Sequence, residues 1–354
     1  MSIAQRTLIR SGLSLSELGL GCASLAGIFR PVAEADARAT IAEARRTGIT
    51  YFDTAPFYGH GLSERLTGDG LRGGEGLVLS SKVGRLLEPG LRADPGAWVT
   101  ALPFTPRYDY SYDGVMRSYE DSLQRLGLDR IDLLYIHDIG NLTHGEAAGP
   151  ALFETAMTGG YRALEALRSS GAISGFGLGV NEVAVCEAAM ARGDWDVFLL
   201  AGRYTLLEQS PLQGLMADCA ARGTDIVVGG PFNSGVLVGG DSFDYGAIPP
   251  EVACKVRAMT EVCTAHDVPL PAAALRFPLA HPAVKSVIPG PRTPQELAQI
   301  RAWWDHPIPA GLWSDLRSAG LIDPDAPTPA RRRKPCASTP INTSGPLPAA
   351  TTAG

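Results

Sequence analysis

GITYFDTAPFYGHGLSE, residues 48–64, decides how this chain is read. Its core, TYFDT, is a short run of β-branched and aromatic residues, the composition of a buried strand. The run ends on Asp53, a loop carrying Tyr58 follows, and an apolar-periodic segment comes next. Strand, loop and helix in that order make one βα unit. The same kind of run recurs as LGLGC from Leu18, LVLSSK from Leu77, DLLYIH from Asp132, GFGLGV from Gly175, VFLLA from Val197, DIVVGG from Asp225 and SVIPG from Ser286. Eight βα units are the number that closes a parallel (β/α)₈ TIM barrel, an α/β fold.

The intervening stretches carry apolar residues at three- and four-residue spacing, as in AEADARATIAEARRTG from Ala33, YDGVMRSYEDSLQRLG from Tyr112 and PQELAQIRAWWD from Pro294. Gly48 and Gly127 stand where helix C-caps fall. Ahead of the first strand, TLIRSGLSLSE from Thr7 places two short apolar runs around a Ser-Gly turn and predicts a hairpin plugging the barrel bottom. Two connections, residues 86–112 and 138–159, are longer than a minimal loop, a feature of binding walls and lids. From Pro324 the chain turns to Pro, Ala, Ser and Thr with a basic run at residues 331–334. The expectation is one barrel domain over residues 1–323 and a disordered tail over 324–354.

The 354 residues, 45% hydrophobic and 19% charged, are enough for one large barrel with a sizeable core. A formal charge of −6 gives no electrostatic reason to expect nucleic acid or an anionic membrane as partner, so a small molecule is expected. The six cysteines show no C-x-x-C pair and read as reduced thiols of a cytoplasmic protein. No signal-peptide core or membrane-length apolar run is present.

The chemistry-bearing residues fall at one end of the barrel. Asp53 ends the second strand, Tyr58 lies in the loop after it, Lys82 ends the third and His137 ends the fourth. Barrel active sites form where strands end. Singly, each has an ordinary structural use: a cap, a packed ring, a solvated ammonium, a hydrogen-bonded core imidazole. Together on one rim they make a costly cluster that packing does not require. The six histidines show no H-E-x-x-H or similar spacing, so no metal site is expected.

The strings YFDTAPFYG, LSSKVG, RSYEDSLQRLGLDRIDLLYIHD and SVIPGPRTPQEL, in this order, resemble the aldo/keto reductase superfamily over nearly the whole chain to about Asp323. The resemblance implies a nicotinamide cofactor bound in extended form, and no G-x-G-x-x-G follows an early strand. It assigns Tyr58 as acid/base, with Lys82 favouring the phenolate, Asp53 holding Lys82, and His137 orienting the substrate oxygen. A free phenol, with a pKa of about 10, is otherwise a poor base at neutral pH. Asn181 matches the family's carboxamide-binding residue. Val180, Ala201 and the glycines around Gly229 depart from the usual Ser, Gln and stacking aromatic.

Further cofactor contacts are expected from Gly230, Phe232 and Gly235 in GGPFNSGVL, whose backbone N–H groups can wrap a pyrophosphate. Pro289, Gly290, Arg292 and Glu296 form a second group. Gly290 and Glu296 stand where NADP-preferring relatives carry Lys and Arg, which favours NAD and leaves NADP use open through Arg292. The insertion WVTALPFTPRYDYSYDGVMRS from Trp98, with IHDIGNLTHG from Ile136, resembles aldose 1-dehydrogenases acting on L-fucose, D-arabinose or L-galactose, and the related pyridoxal 4-dehydrogenases. His60, Trp98, Phe104 and Tyr108 are the expected substrate wall. The leading expectation is oxidation of an aldose at C1 to its lactone. Pyridoxal oxidation to 4-pyridoxolactone, a general aldehyde or ketone reductase and a cofactor-binding regulatory subunit are the alternatives.

Overall fold

The computed structural model describes residues 3–90 and 94–329. Eight parallel strands appear in chain order as neighbours: Leu20–Gly21, Tyr51–Asp53, Val78–Val83, Leu133–His137, Gly175–Val180, Val197–Ala201, Asp225–Gly229 and Val284–Ile288. The first and last meet through a parallel bridge between Leu18 and Val287, with Gly19 N–H donating to Val287 O at 2.9 Å and Val287 N–H to Glu17 O at 2.9 Å. The strands therefore close into the expected barrel.

Interior and exterior faces follow from strand alternation. Tyr51, Val78, Leu133, Tyr135, Val197, Leu199, Val227 and Ile288 form a cluster inside the barrel. Gln5–Thr7 pairs antiparallel with Ser14–Ser16, and the fully buried Leu8 and Leu15 join that cluster, so the hairpin plugs the bottom as expected. The alternate residues, such as Phe52, Leu134, Phe176 and Phe198, pack outward with the helices in the main core.

Local chemistry sets the helices. Glu34–Arg46 carries Glu34 and Asp36 in its first turn and Arg45 and Arg46 in its last, matching the helix dipole. Tyr112–Leu126 starts on Ser111, whose side chain accepts from Gly114 N–H, and ends on Gly127 in the left-handed conformation. The fifth strand needs glycine for a different reason. A Cβ at Gly177 would fall 1.5 Å from Val197 O, inside the neighbouring strand's backbone.

Two connections read as long loops have structure of their own. After the third strand, Arg85–Pro89 pairs antiparallel with Phe104–Tyr108, making a hairpin beside the barrel mouth. After the fourth, Asn141–Thr155 is helical with a break at Gly145 (φ 69°), then passes through a π-turn at Ala156–Gly160 into Tyr161–Ser169. Gly145 and Pro150 read as loop signals in sequence. The helix restarts after Gly145, which places Pro150 near its new first turn, where a missing N–H costs little.

The segment from Pro324 begins against the barrel: Ala326 is buried with Leu312, Trp313 and Leu316, and its carbonyl accepts from Arg317. The rest of the expected tail, with the basic run at 331–334, lies outside the described residues. Among the described residues, no helix is long and apolar enough to cross a membrane.

Candidate active site

The strand ends bring the four candidate groups together. Lys82 Nζ donates to Asp53 Oδ2 at 2.7 Å and to Thr54 O at 2.9 Å, and both side chains are almost fully buried. Asp53 Oδ1 accepts from Ser80 Oγ at 2.7 Å. Gly179 on the fifth strand makes room for this lysine, since a Cβ there would sit 3.2 Å from Lys82 Cε. The Tyr58 ring centroid lies 4.6 Å from Lys82 Nζ. It also meets the His137 ring edge-on at 5.9 Å. Trp98, from the inserted segment, packs on Tyr58 at 5.5 Å.

Burial dominates the electrostatics. It pushes Tyr58 well above the ordinary phenol range, and the Asp53 carboxylate pushes the same way. Against this, the expected pull of Lys82 toward the phenolate rests on its ammonium lying over the Tyr58 ring. Burial also holds His137 well below the ordinary imidazole range, reinforced by the positive charges of Arg85 and Lys82. Asp53 is raised by burial, against the pull of Lys82. The site thus holds a neutral phenol and a neutral imidazole beside a buried ion pair.

Two connected cavities open at Tyr58, which lines both. The first, of about 420 Å³, is a groove lined by Gly230, Phe232, Gly235, Pro289, Gly290, Arg292 and Glu296 among others. Its residues fit an extended dinucleotide. Small residues keep the floor low, and the buried Arg292 Nε finds no partner among the described residues. Glu296 lines this groove while its Oε2 accepts from Arg292 N–H at 2.8 Å, closing the helix start with the Thr293 cap.

The second cavity, of about 680 Å³, is lined by His60, Trp98, Tyr108 and Asn181 together with Tyr58, Lys82 and His137. Asn181 Nδ2 donates to Ala201 O at 3.1 Å. His60 Nδ1–H donates to Phe104 O at 2.7 Å, which leaves Nε2 of the neutral ring as an acceptor. Phe104 itself is not part of the wall. It supports His60 through its carbonyl, and its hairpin neighbours Thr105 and Pro106 line the cavity instead.

Sequence reading missed Phe57, Arg85, Asp138 and Tyr245. Tyr245 lines both cavities, so the loop after the seventh strand does bring an aromatic ring to their junction. The Asp after His137 and the Arg just past the third strand were visible in sequence as charges beside strand ends, a signal that went unused.

Residues 17–320 match the model of the aldo/keto reductase family. The chain is 44% identical over 334 residues to pyridoxal 4-dehydrogenase of Microbacterium luteolum, covering 90% of this chain and 98% of that protein. It is 36% identical over 342 residues to D-threo-aldose 1-dehydrogenase of a Pseudomonas species, covering 93% and 100%. An aldo-keto reductase from Bacillus halodurans, solved in its holo form, superposes with a TM-score of 0.69 at 26% identity, covering 91% of this chain and 97% of that one.

Proposed function

The chain belongs to the aldo/keto reductase family, and on that premise we propose that it oxidises a cyclic hemiacetal to a lactone, with pyridoxal as its first substrate and an aldose as its second. The observation that carries this reading is Tyr58, which lines both the groove and the wider cavity with Lys82, Asp53 and His137 around it. Identity to the pyridoxal enzyme exceeds that to the aldose enzyme, which orders the two substrates. Flat walls from Phe57, Trp98 and Tyr108 suit either ring.

A bound nicotinamide supplies the hydride acceptor. The protein's part is proton transfer and placement. As the carbon gives up hydride and its C–O bond becomes a carbonyl, the hydroxyl proton passes to Tyr58 Oη, and in the reverse direction Tyr58 returns it. His137 donates a hydrogen bond to the same oxygen and fixes its position. Lys82, tied to Asp53 and Thr54 O, keeps a fixed positive charge by the Tyr58 ring. Phe57 and Trp98, packed edge-to-face at 5.5 Å, exclude water.

NAD is the favoured cofactor, with NADP use open through Arg292. The acidic Glu296 in the groove supports this, because a carboxylate repels a 2′-phosphate. The five described cysteines are free, in keeping with a cytoplasmic enzyme.

The test is purified enzyme with NAD or NADP and a panel of pyridoxal, L-fucose, D-arabinose and L-galactose, followed by reduced-cofactor absorbance. Turnover of pyridoxal with NAD is the expected result. Silence in every pairing removes the dehydrogenase reading.

A further inference from the structure

The wider cavity contains an ion pair between a buried Arg85 and a half-buried Asp138, beside the tetrad. Arg85 is 3% exposed, and its Nη2 donates to Asp138 Oδ2 at 2.5 Å. Its guanidinium carbon lies 4.0 Å from the Phe57 ring centroid and 5.3 Å from that of Tyr108, so the group is clamped. Yet Arg85 Nε is buried with no partner among the described residues, while Arg85 and Asp138 both line the cavity. A buried guanidinium N–H without an acceptor carries a cost that a purely structural pair would have no reason to retain.

Asp138 is held in an unusual conformation, with φ at +46° and its N–H donating to Gly179 O at 3.1 Å. Left-handed backbone is unfavourable for a residue with a Cβ, and Asp tolerates it better than most. The consequence is that Asp138 Oδ2 comes within 3.4 Å of His137 Nε2. His137 Nδ1 is buried and unpartnered among the described residues, so the ring proton belongs on Nε2, beside the carboxylate and available to the substrate oxygen. The Arg85–Asp138 pair therefore lies immediately beside the place of the reacting oxygen.

Resting on the hemiacetal-oxidation reading, we infer that Arg85 and Asp138 form a hydroxyl-recognition element that selects substrates with a free hydroxyl neighbouring the carbon being oxidised. In an aldose this is the 2-hydroxyl. A hydroxyl both accepts and donates. Arg85 Nε–H supplies the donor and the Asp138 carboxylate the acceptor. A methylene at that place leaves the Arg85 Nε–H without an acceptor and gives Asp138 no further donor, and an ester or ether oxygen serves Arg85 alone.

Two matched pairs test this: D-arabinose against 2-deoxy-D-ribose, and L-galactose against 2-deoxy-L-galactose. Wild-type kcat/KM should favour the hydroxyl-bearing member by about 10²-fold or more. In Arg85→Met and in Asp138→Asn that ratio should fall at least tenfold, chiefly through loss on the parent compound. Asn retains the shape of Asp and tolerates the same backbone, so Asp138→Asn guards against a misfolded Arg85→Met. A wild type without preference overturns the inference, as does an equal loss on both members of a pair, which marks a role through His137 or through folding alone. Calorimetric binding of the same compounds to wild-type enzyme loaded with NADH needs no turnover. A hydroxyl preference there without oxidation would remove the proposed reaction and keep the recognition element, whereas equal binding, or none, overturns the element.

Discussion

At Lys82 the stability of the fold and the chemistry of the site rest on one contact. Lys82 and Asp53 are 1% and 3% exposed and 2.7 Å apart, so removing one partner strands the other charge away from water. Lys82→Met should cost about 3–5 kcal/mol in urea unfolding. Adding Asp53→Asn should recover most of that stability but none of the activity; a double variant no more stable than the single would show that the pair is not the source of the loss. Tyr58→Phe keeps the ring between Trp98 and Lys82 and removes only the acid/base, so turnover should drop by about 10²–10⁴-fold while NAD affinity, read by fluorescence titration, holds. Normal rates in that variant would exclude Tyr58 as the proton carrier. The sign of the pH dependence follows from the raised phenol. Reduction needs the protonated form and should stay flat through neutral pH, whereas oxidation needs the phenolate and should climb into the alkaline range. His137 is held well below its usual range, so neither profile should break near pH 6.5, roughly the free imidazole value. A break there would mean His137 titrates in the working enzyme.

Among the elements, the barrel strands were the part most legible in sequence, because most are short apolar runs whose ends carry either a glycine or a chemical group. The glycines in GFGLGV show why composition alone understates them. Gly177 permits the fifth strand to approach Val197 O, and Gly179 leaves space for the Lys82 stem. Gly177→Ala should cost about 3 kcal/mol or more, since a backbone carbonyl cannot step aside as a side chain can. A thermal midpoint within a degree or two of wild type would contradict that packing. The inserted hairpin and the broken helix after the fourth strand were illegible for opposite reasons. Arg85–Pro89 and Phe104–Tyr108 pair across a gap too long for turn chemistry to announce, and Gly145 with Pro150 imitates a loop inside a helical stretch. Arg85 and Asp138 stood in plain view, but they are 53 residues apart and belong to different βα units. Their pairing exists only once the third and fourth strands lie side by side.

At the scale of the whole molecule, the loops after the first and seventh strands meet over the junction of the two cavities. Phe29 and Tyr245 each line both cavities, and their rings lie 6.5 Å apart. The segment bearing Tyr245 is a small hairpin in which Ser242–Phe243 pairs with Gly246–Ala247. Asp244 and Tyr245 at its tip both have positive φ, so the turn does not hold its shape without cost. Besides Tyr245 N–H, which donates to Ser234 Oγ at 3.0 Å, the hairpin is tied by Arg203, after the sixth strand, whose Nη1 and Nη2 grip both oxygens of Asp244 at 3.0 and 2.9 Å. The bidentate contact fixes orientation as well as distance, which a single bond would not. With that tie cut, the hairpin should leave the groove more readily, and a bound cofactor should escape faster with little change in how fast it arrives. Arg203→Ala and Asp244→Ala should therefore each raise the NADH dissociation rate by about tenfold in stopped-flow displacement. The double variant should be no faster than either single, because both changes remove the same contact. Unaltered dissociation in the single variants would mean the hairpin does not restrain the cofactor. Additive effects in the double would mean that Arg203 and Asp244 act separately.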